Sequence, residues 1–184
     1  MNDIPDWLAA ARDHWRWRGD DRPSFAIAPG PGQTSVWDYP RPPGIVADGR
    51  EVVIRCDDVE IARTRAAVKV CETSHPPTWY LPAADVDPRF VEAAGGGSFC
   101  EWKGPARYWN VRVGNRVLNG VAWSYPQPLA GAEILKDRFA FYASRLTCLV
   151  DGVRATPQPG GFYGGWITPE LTGPFKGEPG SEGW

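Results

Sequence analysis

Glycine and proline recur 21 and 19 times in 184 residues, so densely that no long helix can be written through this chain. Proline removes a backbone donor and fixes φ, and interior glycine costs a helix about 1 kcal/mol relative to alanine. What remains is a chain of short extended segments joined by turns. Ten tryptophans accompany them, far more than a disordered chain carries. Each indole offers a large apolar area and one N–H that needs a partner, so cores, pocket linings and interfaces are its usual places. The expected fold is mainly β: a compact antiparallel sheet, tent-like or barrel-like, with short helices.

Charge excludes some functions. The formal net charge is −2, so no basic surface argues for nucleic acid or an anionic membrane. No run of eighteen apolar residues is present, and the N-terminus lacks a basic-then-apolar leader pattern, so the expectation is a soluble, cytoplasmic protein. Cys56, Cys71, Cys100 and Cys148 form no C-x-x-C pair; reduced thiols are expected, and no metal site.

In chain order, residues 1–35 read as a helix and connector, 36–155 as the β domain, and 156–184 as a Gly/Pro-rich aromatic arm. Ile4, Trp7, Leu8, Ala11 and Trp15 recur at helical spacing over 4–16, with Asp3 placed to cap the start. The stretches 51–56, 59–64 and 67–72 alternate as strands, and Trp79-Tyr80-Leu81 follows a paired-proline turn as another. Arg89 to Ala93 suggests a helical turn or two ended by Gly95-Gly96-Gly97, and Ala130 to Lys136 a brief helix. Residues 138–143 and 145–150 alternate again. The hexapeptide pattern W-x-Y-P-x-P occurs at Trp37 and again at Trp123, as an internal duplication would leave it. The arm keeps Phe162, Tyr163, Trp166, Phe175 and Trp184 among its glycines, which suits wrapping of its own domain or exchange between two copies as a homodimer.

The stretch from Ser98 to Pro126 concentrates the chemistry. Strand-like segments flank Gly114-Asn115, a dipeptide suited to a two-residue II′ turn; Asn119-Gly120 offers a competing I′ turn in another register. With the first turn, Trp109, Val111 and Val113 pair with Gly120, Leu118 and Arg116 on a core face. Tyr108, Asn110, Val121, Asn119 and Trp123 then form an aromatic wall on the other.

The candidate groups are few. Lys103, among aromatics, suits a base, electrophile or anion clamp; Glu72 ends a strand before the proline turn. Cys100 is a candidate thiol, although free cysteine more often packs than reacts. His75 stands before Pro76-Pro77, where exposure is the default.

His75-Pro76-Pro77-Thr78-Trp79-Tyr80-Leu81-Pro82, Cys100-Glu101-Trp102-Lys103-Gly104 and Ala122-Trp123-Ser124-Tyr125-Pro126 together resemble the uncharacterised family called domain of unknown function 427. Ala140-Phe141-Tyr142 and the Phe162-Tyr163-Gly164-Gly165-Trp166 run fit as well, so the resemblance covers Trp37 to Trp184. It implies a small β domain, similar to the tent-like sheets of the cereblon ligand-binding domain and methionine sulfoxide reductase B without their zinc cysteines. This chain departs from the pattern at Glu101, where the family often has Pro, and at Pro105, where it often has Glu. The second change takes a carboxylate away from beside Lys103-Gly104.

These readings converge on a small-molecule protein with an aromatic pocket. Tyr80, Trp102, Tyr108, Trp123, Tyr125 and His75 are its expected lining, and Glu72, Lys103 and Cys100 its reactive groups. Acid–base chemistry on a small organic substrate, with no cofactor specified, is the leading expectation. A non-catalytic aromatic cage and a structural partner protein are the alternatives.

Overall fold

A computed structural model describes residues 4–184. The longer strands are β1 (Gly44–Asp48), β2 (Val52–Cys56), β3 (Val59–Thr64), β4 (Ala67–Cys71), β5 (Thr78–Pro82), β6 (Val91–Cys100), β7 (Gly104–Val113), β8 (Arg116–Ser124), β9 (Arg138–Phe141) and β10 (Thr147–Val150). Seven of them form one antiparallel sheet in the order β1-β4-β5-β9-β8-β7-β6. A second sheet runs from the short strand Val153–Arg154 through β10 and β2 to β3. Both sheets are open, so the barrel-like alternative gives way to two sheets packed face to face.

Alternation along the strands explains the layering. In β5, Trp79 and Leu81 point into the cluster between the sheets, where they meet Val52, Ile54 and Cys148 of the smaller sheet. Tyr80 points the other way, to a second cluster with Val68, Val70, Trp123 and Tyr125. In β9, Phe141 faces the inner cluster and Ala140 the outer one. The large sheet is therefore apolar on both faces, and its outer face needs a cover.

The β7–β8 hairpin turns at Gly114-Asn115, with Val113 opposite Arg116 and Val111 opposite Leu118. Gly114 takes φ 55°, as a II′ turn demands of its first central residue. The competing Asn119-Gly120 signal is also used, as a bulge: Gly120 has φ 61° and donates its N–H to the Asn110 side-chain oxygen at 2.9 Å. Beyond it Trp109 stands opposite Ala122 rather than Gly120. The bulge also turns Val121 into the inner core instead of the aromatic wall, and it makes Trp123, not Val121, the direct partner of Tyr108.

Other expectations shift. The segment read as a helical turn ended by glycines is strand β6, whose register breaks between Ala93 and Gly97. Residues 133–135 form one turn of 3-10 helix. The N-terminal helix α1 (Asp6–Asp13) is shorter than its periodicity, and it buries only Leu8. Its Trp7 remains 58% exposed with its ring edge on Phe99, because α1 docks at the margin of the sheet. The cap assigned to Asp3 lies outside the described residues. The two W-x-Y-P-x-P copies differ: Trp37 sits in a 3-10 turn (Val36–Asp38) and Trp123 in β8, so the echo is not a structural repeat.

The C-terminal arm packs on the domain. Trp166 is fully buried, stacks on Trp79 at 5.9 Å and donates its indole N–H to the Phe141 carbonyl at 2.9 Å. Trp37, Phe25 and Trp184 form a second aromatic knot that ties the connector to the end of the arm. No described helix is long and apolar enough to cross a membrane.

Candidate functional site

The outer face of the large sheet carries a cavity of about 200 Å³. Its floor is strand residues: Val70 of β4, Tyr80 of β5, Ser98 and Cys100 of β6, Tyr108 of β7 and Trp123 of β8. Lys103 enters from the tight β6–β7 connection, and Tyr125 from the chain just after β8. Trp15 from the N-terminal segment and Gln158, Phe162, Tyr163 and Gly164 from the arm close it over. The sheet supplies the floor and the two flanking segments supply the roof.

Lys103 is distinguished by what it lacks. Its ammonium has no ion pair and no side-chain hydrogen bond among the described residues. Lys176 shows the contrast: its ammonium donates to the Ser181, Glu182 and Trp184 carbonyls at 3.0, 3.0 and 3.2 Å, a fully satisfied structural lysine. Burial opposes the Lys103 charge, but the acidic groups facing it, Cys100, Tyr125, Tyr80 and Glu72, outweigh that and hold its pKa well above the ordinary lysine value. It stays an ammonium, ready to attract a negative group.

The hydroxyls around it stay protonated. Burial pushes the Tyr80 phenol up to about 12, against the pull of Lys103. It pushes Tyr125 well above the ordinary tyrosine value too. The Trp123 indole N–H donates to the Tyr80 oxygen at 3.3 Å, leaving the Tyr80 proton for another acceptor. Ser98 and Tyr108 share a hydrogen bond of 2.9 Å.

His75 is half-buried and not exposed as its place before two prolines implied. Pro76 and Pro77 turn the chain back under the arm, and the imidazole is enclosed against Tyr163 at 4.7 Å. Burial, and then the positive fields of Arg41, Lys103 and Lys176, hold its pKa well below the ordinary histidine value, so it is neutral. The Gln158 amide nitrogen lies 2.9 Å from His75 Nδ1. Because that nitrogen also donates to the Lys176 carbonyl and Gln158 Oε1 accepts from Gly165 N–H, the amide orientation is set. Nδ1 is the acceptor, and the His75 proton sits on Nε2.

Glu72 lies at the cavity margin, and one carboxylate oxygen accepts from Arg41 Nε at 3.1 Å. The Arg41 side chain is fully buried, donates to the Trp17 and Thr73 carbonyls, and stacks under the Trp15 ring at 4.7 Å. The other Glu72 oxygen has no donor among the described residues. Glu101, which also lines the cavity, accepts the Trp15 indole N–H at 2.8 Å.

Glu72, His75, Tyr80, Cys100, Lys103, Tyr108, Trp123 and Tyr125 thus meet around one hollow. Trp102 does not: the chain turns between β6 and β7, and its ring lies under the Arg12 guanidinium at 5.1 Å, away from the lining. Sequence reading missed the roof. The alternation of glycine and aromatics after Thr156 marked an arm on a surface, but nothing local says which surface. The required signal is at Gly164, where a Cβ would collide with the Trp123 indole ring.

Fold and site together define a small β-sandwich protein with an aromatic-walled, lysine-bearing hollow on its outer face. The family model described as Domain of unknown function (DUF427) matches residues 44–152, and the chain belongs to that family. No curated protein matches the sequence. The matched region carries Glu72, His75, Cys100, Lys103 and the floor aromatics, while Trp15 and the arm lie outside it.

Proposed function

We propose that the hollow is the reaction site of an enzyme performing acid–base chemistry on a small organic substrate that carries or develops negative charge. The observation that carries this reading is the Lys103 ammonium, unpartnered among the described residues and enclosed by aromatic walls. In a water-poor hollow such a charge attracts a carboxylate or stabilises an oxyanion far more strongly than in bulk water. Tyr80, Tyr125 and the His75 Nε2 proton are additional donors, and Trp123 and Tyr142, packed on each other at 4.5 Å, offer one continuous apolar surface for the flat body.

Lys103 then holds the developing negative charge, and the free oxygen of Glu72 accepts a proton and returns one to the product. The Cys100 thiol assists from the floor. A cage for a cation is disfavoured, because Lys103 would repel the guest. Burial of Trp166 in its own domain, and the contact of the Tyr163 ring with His75, favour intramolecular wrapping over exchange between copies as a homodimer. Four unbridged thiols support a reducing compartment, the cytoplasm.

The test is deuterium incorporation into a panel of 2-oxo acids and aryl acetates in D₂O, followed by proton NMR. The native protein is expected to catalyse exchange on at least one of them, and Glu72→Gln and Lys103→Met to abolish it with the fold intact. Exchange that survives both substitutions would remove these residues from the chemistry.

A further inference from the structure

A second cleft, of about 180 Å³, shares no lining residue with the aromatic hollow. Four arginines line it, Arg55, Arg116, Arg145 and Arg154, against one carboxylate, Asp57. The topology brings them together. Arg55 of β2 pairs with Thr147 of β10, and Arg154 pairs with Leu149, two residues further along β10. Cross-strand partners point the same way and alternate residues share a face, so Arg55 and Arg154 project from the same face of the small sheet. A bulge between Ile54 and Arg55 re-aims the first of them. Arg116 follows the hairpin turn, and Arg145 comes from the loop between β9 and β10.

The charges are poorly compensated. Arg116 is paired with Asp57 at 2.7 Å. Arg145 and Arg154 make no ion pair and no side-chain hydrogen bond among the described residues. Arg55 reaches only Glu60, at 3.8 Å, and its Nε is buried without a partner. In a chain of net charge −2, two guanidiniums with no ion pair and a third held only loosely by Glu60 are not a by-product of composition. Like charges held together favour an anion between them, and the planar guanidinium fork matches phosphate oxygens in pairs. Thr147 and Ser144 put hydroxyls at the same rim.

We infer that this cleft binds the phosphoryl group of a small molecule, held by Arg55, Arg145 and Arg154, with Arg116 kept in place by Asp57. Free phosphate and a phosphate monoester share that chemistry, so both serve as probes. The experiment is calorimetric titration of the full chain with inorganic phosphate and with phenyl phosphate at low ionic strength. The native protein and Lys103→Met, which alters only the other site, are expected to give the same saturable 1:1 binding. The double variant Arg145→Gln/Arg154→Gln, both exposed positions, is expected to lose at least tenfold in affinity with an unchanged circular dichroism spectrum. Tighter binding of phenyl phosphate identifies an ester as the source, and equal or weaker binding the free anion. Absence of saturable binding by both probes, or binding that the double variant retains, overturns the inference. So does binding that Lys103→Met removes, because the anion would then sit in the aromatic hollow.

Discussion

Gln158 hands one amide hydrogen to His75 Nδ1 across 2.9 Å and another to the Lys176 carbonyl across 2.8 Å. One buried side chain from the arm thereby fixes the tautomer of an imidazole that belongs to the domain. Nitrogen-15 NMR of the imidazole should show a bare Nδ1 and a protonated Nε2, and no titration of His75 near neutral pH. Gln158→Leu should scramble the two nitrogens and leave the Gly165 N–H without its acceptor.

The same histidine sets a pH dependence. Its folded pKa lies below the ordinary value of 6.5, so on acidification through that value the unfolded chain takes up a proton that the folded chain refuses. The His75 contribution to stability is therefore complete above the unfolded pKa and declines as pH falls toward the folded one. The decline is at most about 1.4 kcal/mol per pH unit for one proton. Urea denaturation at pH 7 and pH 5 should show a smaller loss for His75→Gln than for the native protein. Equal losses would assign the acid sensitivity to other groups.

Lys103→Met should destroy the site and remove one alkaline component of stability. The folded pKa of Lys103 lies above the ordinary value, so its contribution to stability is complete below the unfolded pKa and is lost as pH rises through the folded one. Thermal unfolding at pH 8 and pH 11 should show a smaller loss for Lys103→Met than for the native protein, and the exchange assay above reads the loss of the site.

Gly164→Ala should lift the arm from the sheet. The added carbon meets the Trp123 indole, a rigid neighbour, and overpacking of this kind costs about 1–3 kcal/mol. Trp123→Leu in the same chain makes room, so the double variant should recover part of the loss. A double-mutant cycle with no coupling would show that the two positions do not touch.

Arg41→Leu should be among the most damaging single changes. It strands the Glu72 carboxylate and releases the Trp17 and Thr73 carbonyls, and breaking a buried pair from one side costs about 3–5 kcal/mol. Adding Glu72→Leu should restore part of that by removing the stranded charge, as denaturation midpoints would show.

The parts of this fold legible in the sequence are those governed by local rules. Alternation located β2 and β3 over their full lengths and β4 to within a residue, and Gly114-Asn115 set the hairpin turn. β6 was missed because Gly95, Gly96 and Gly97 punctuate most chains, whereas here they ride through a bulge. The Trp109 register was misread because Gly120 absorbs two extra residues inside a strand, a choice made by tertiary packing. At the site, Lys103 and Trp123 were visible as a charge and a ring in one short stretch. Gln158 and Trp15 were not, since glutamine and tryptophan far along the chain give no local sign of the cavity they reach.

The large sheet keeps two apolar clusters apart, one on each face. Changes among the outer rings leave the inner layer of Val52, Ile54, Trp79 and Phe141 intact, so the hollow is insulated from the part of the molecule that keeps it folded. A chain built this way can vary the lining on one side of a β-sheet without disturbing the packing on the other.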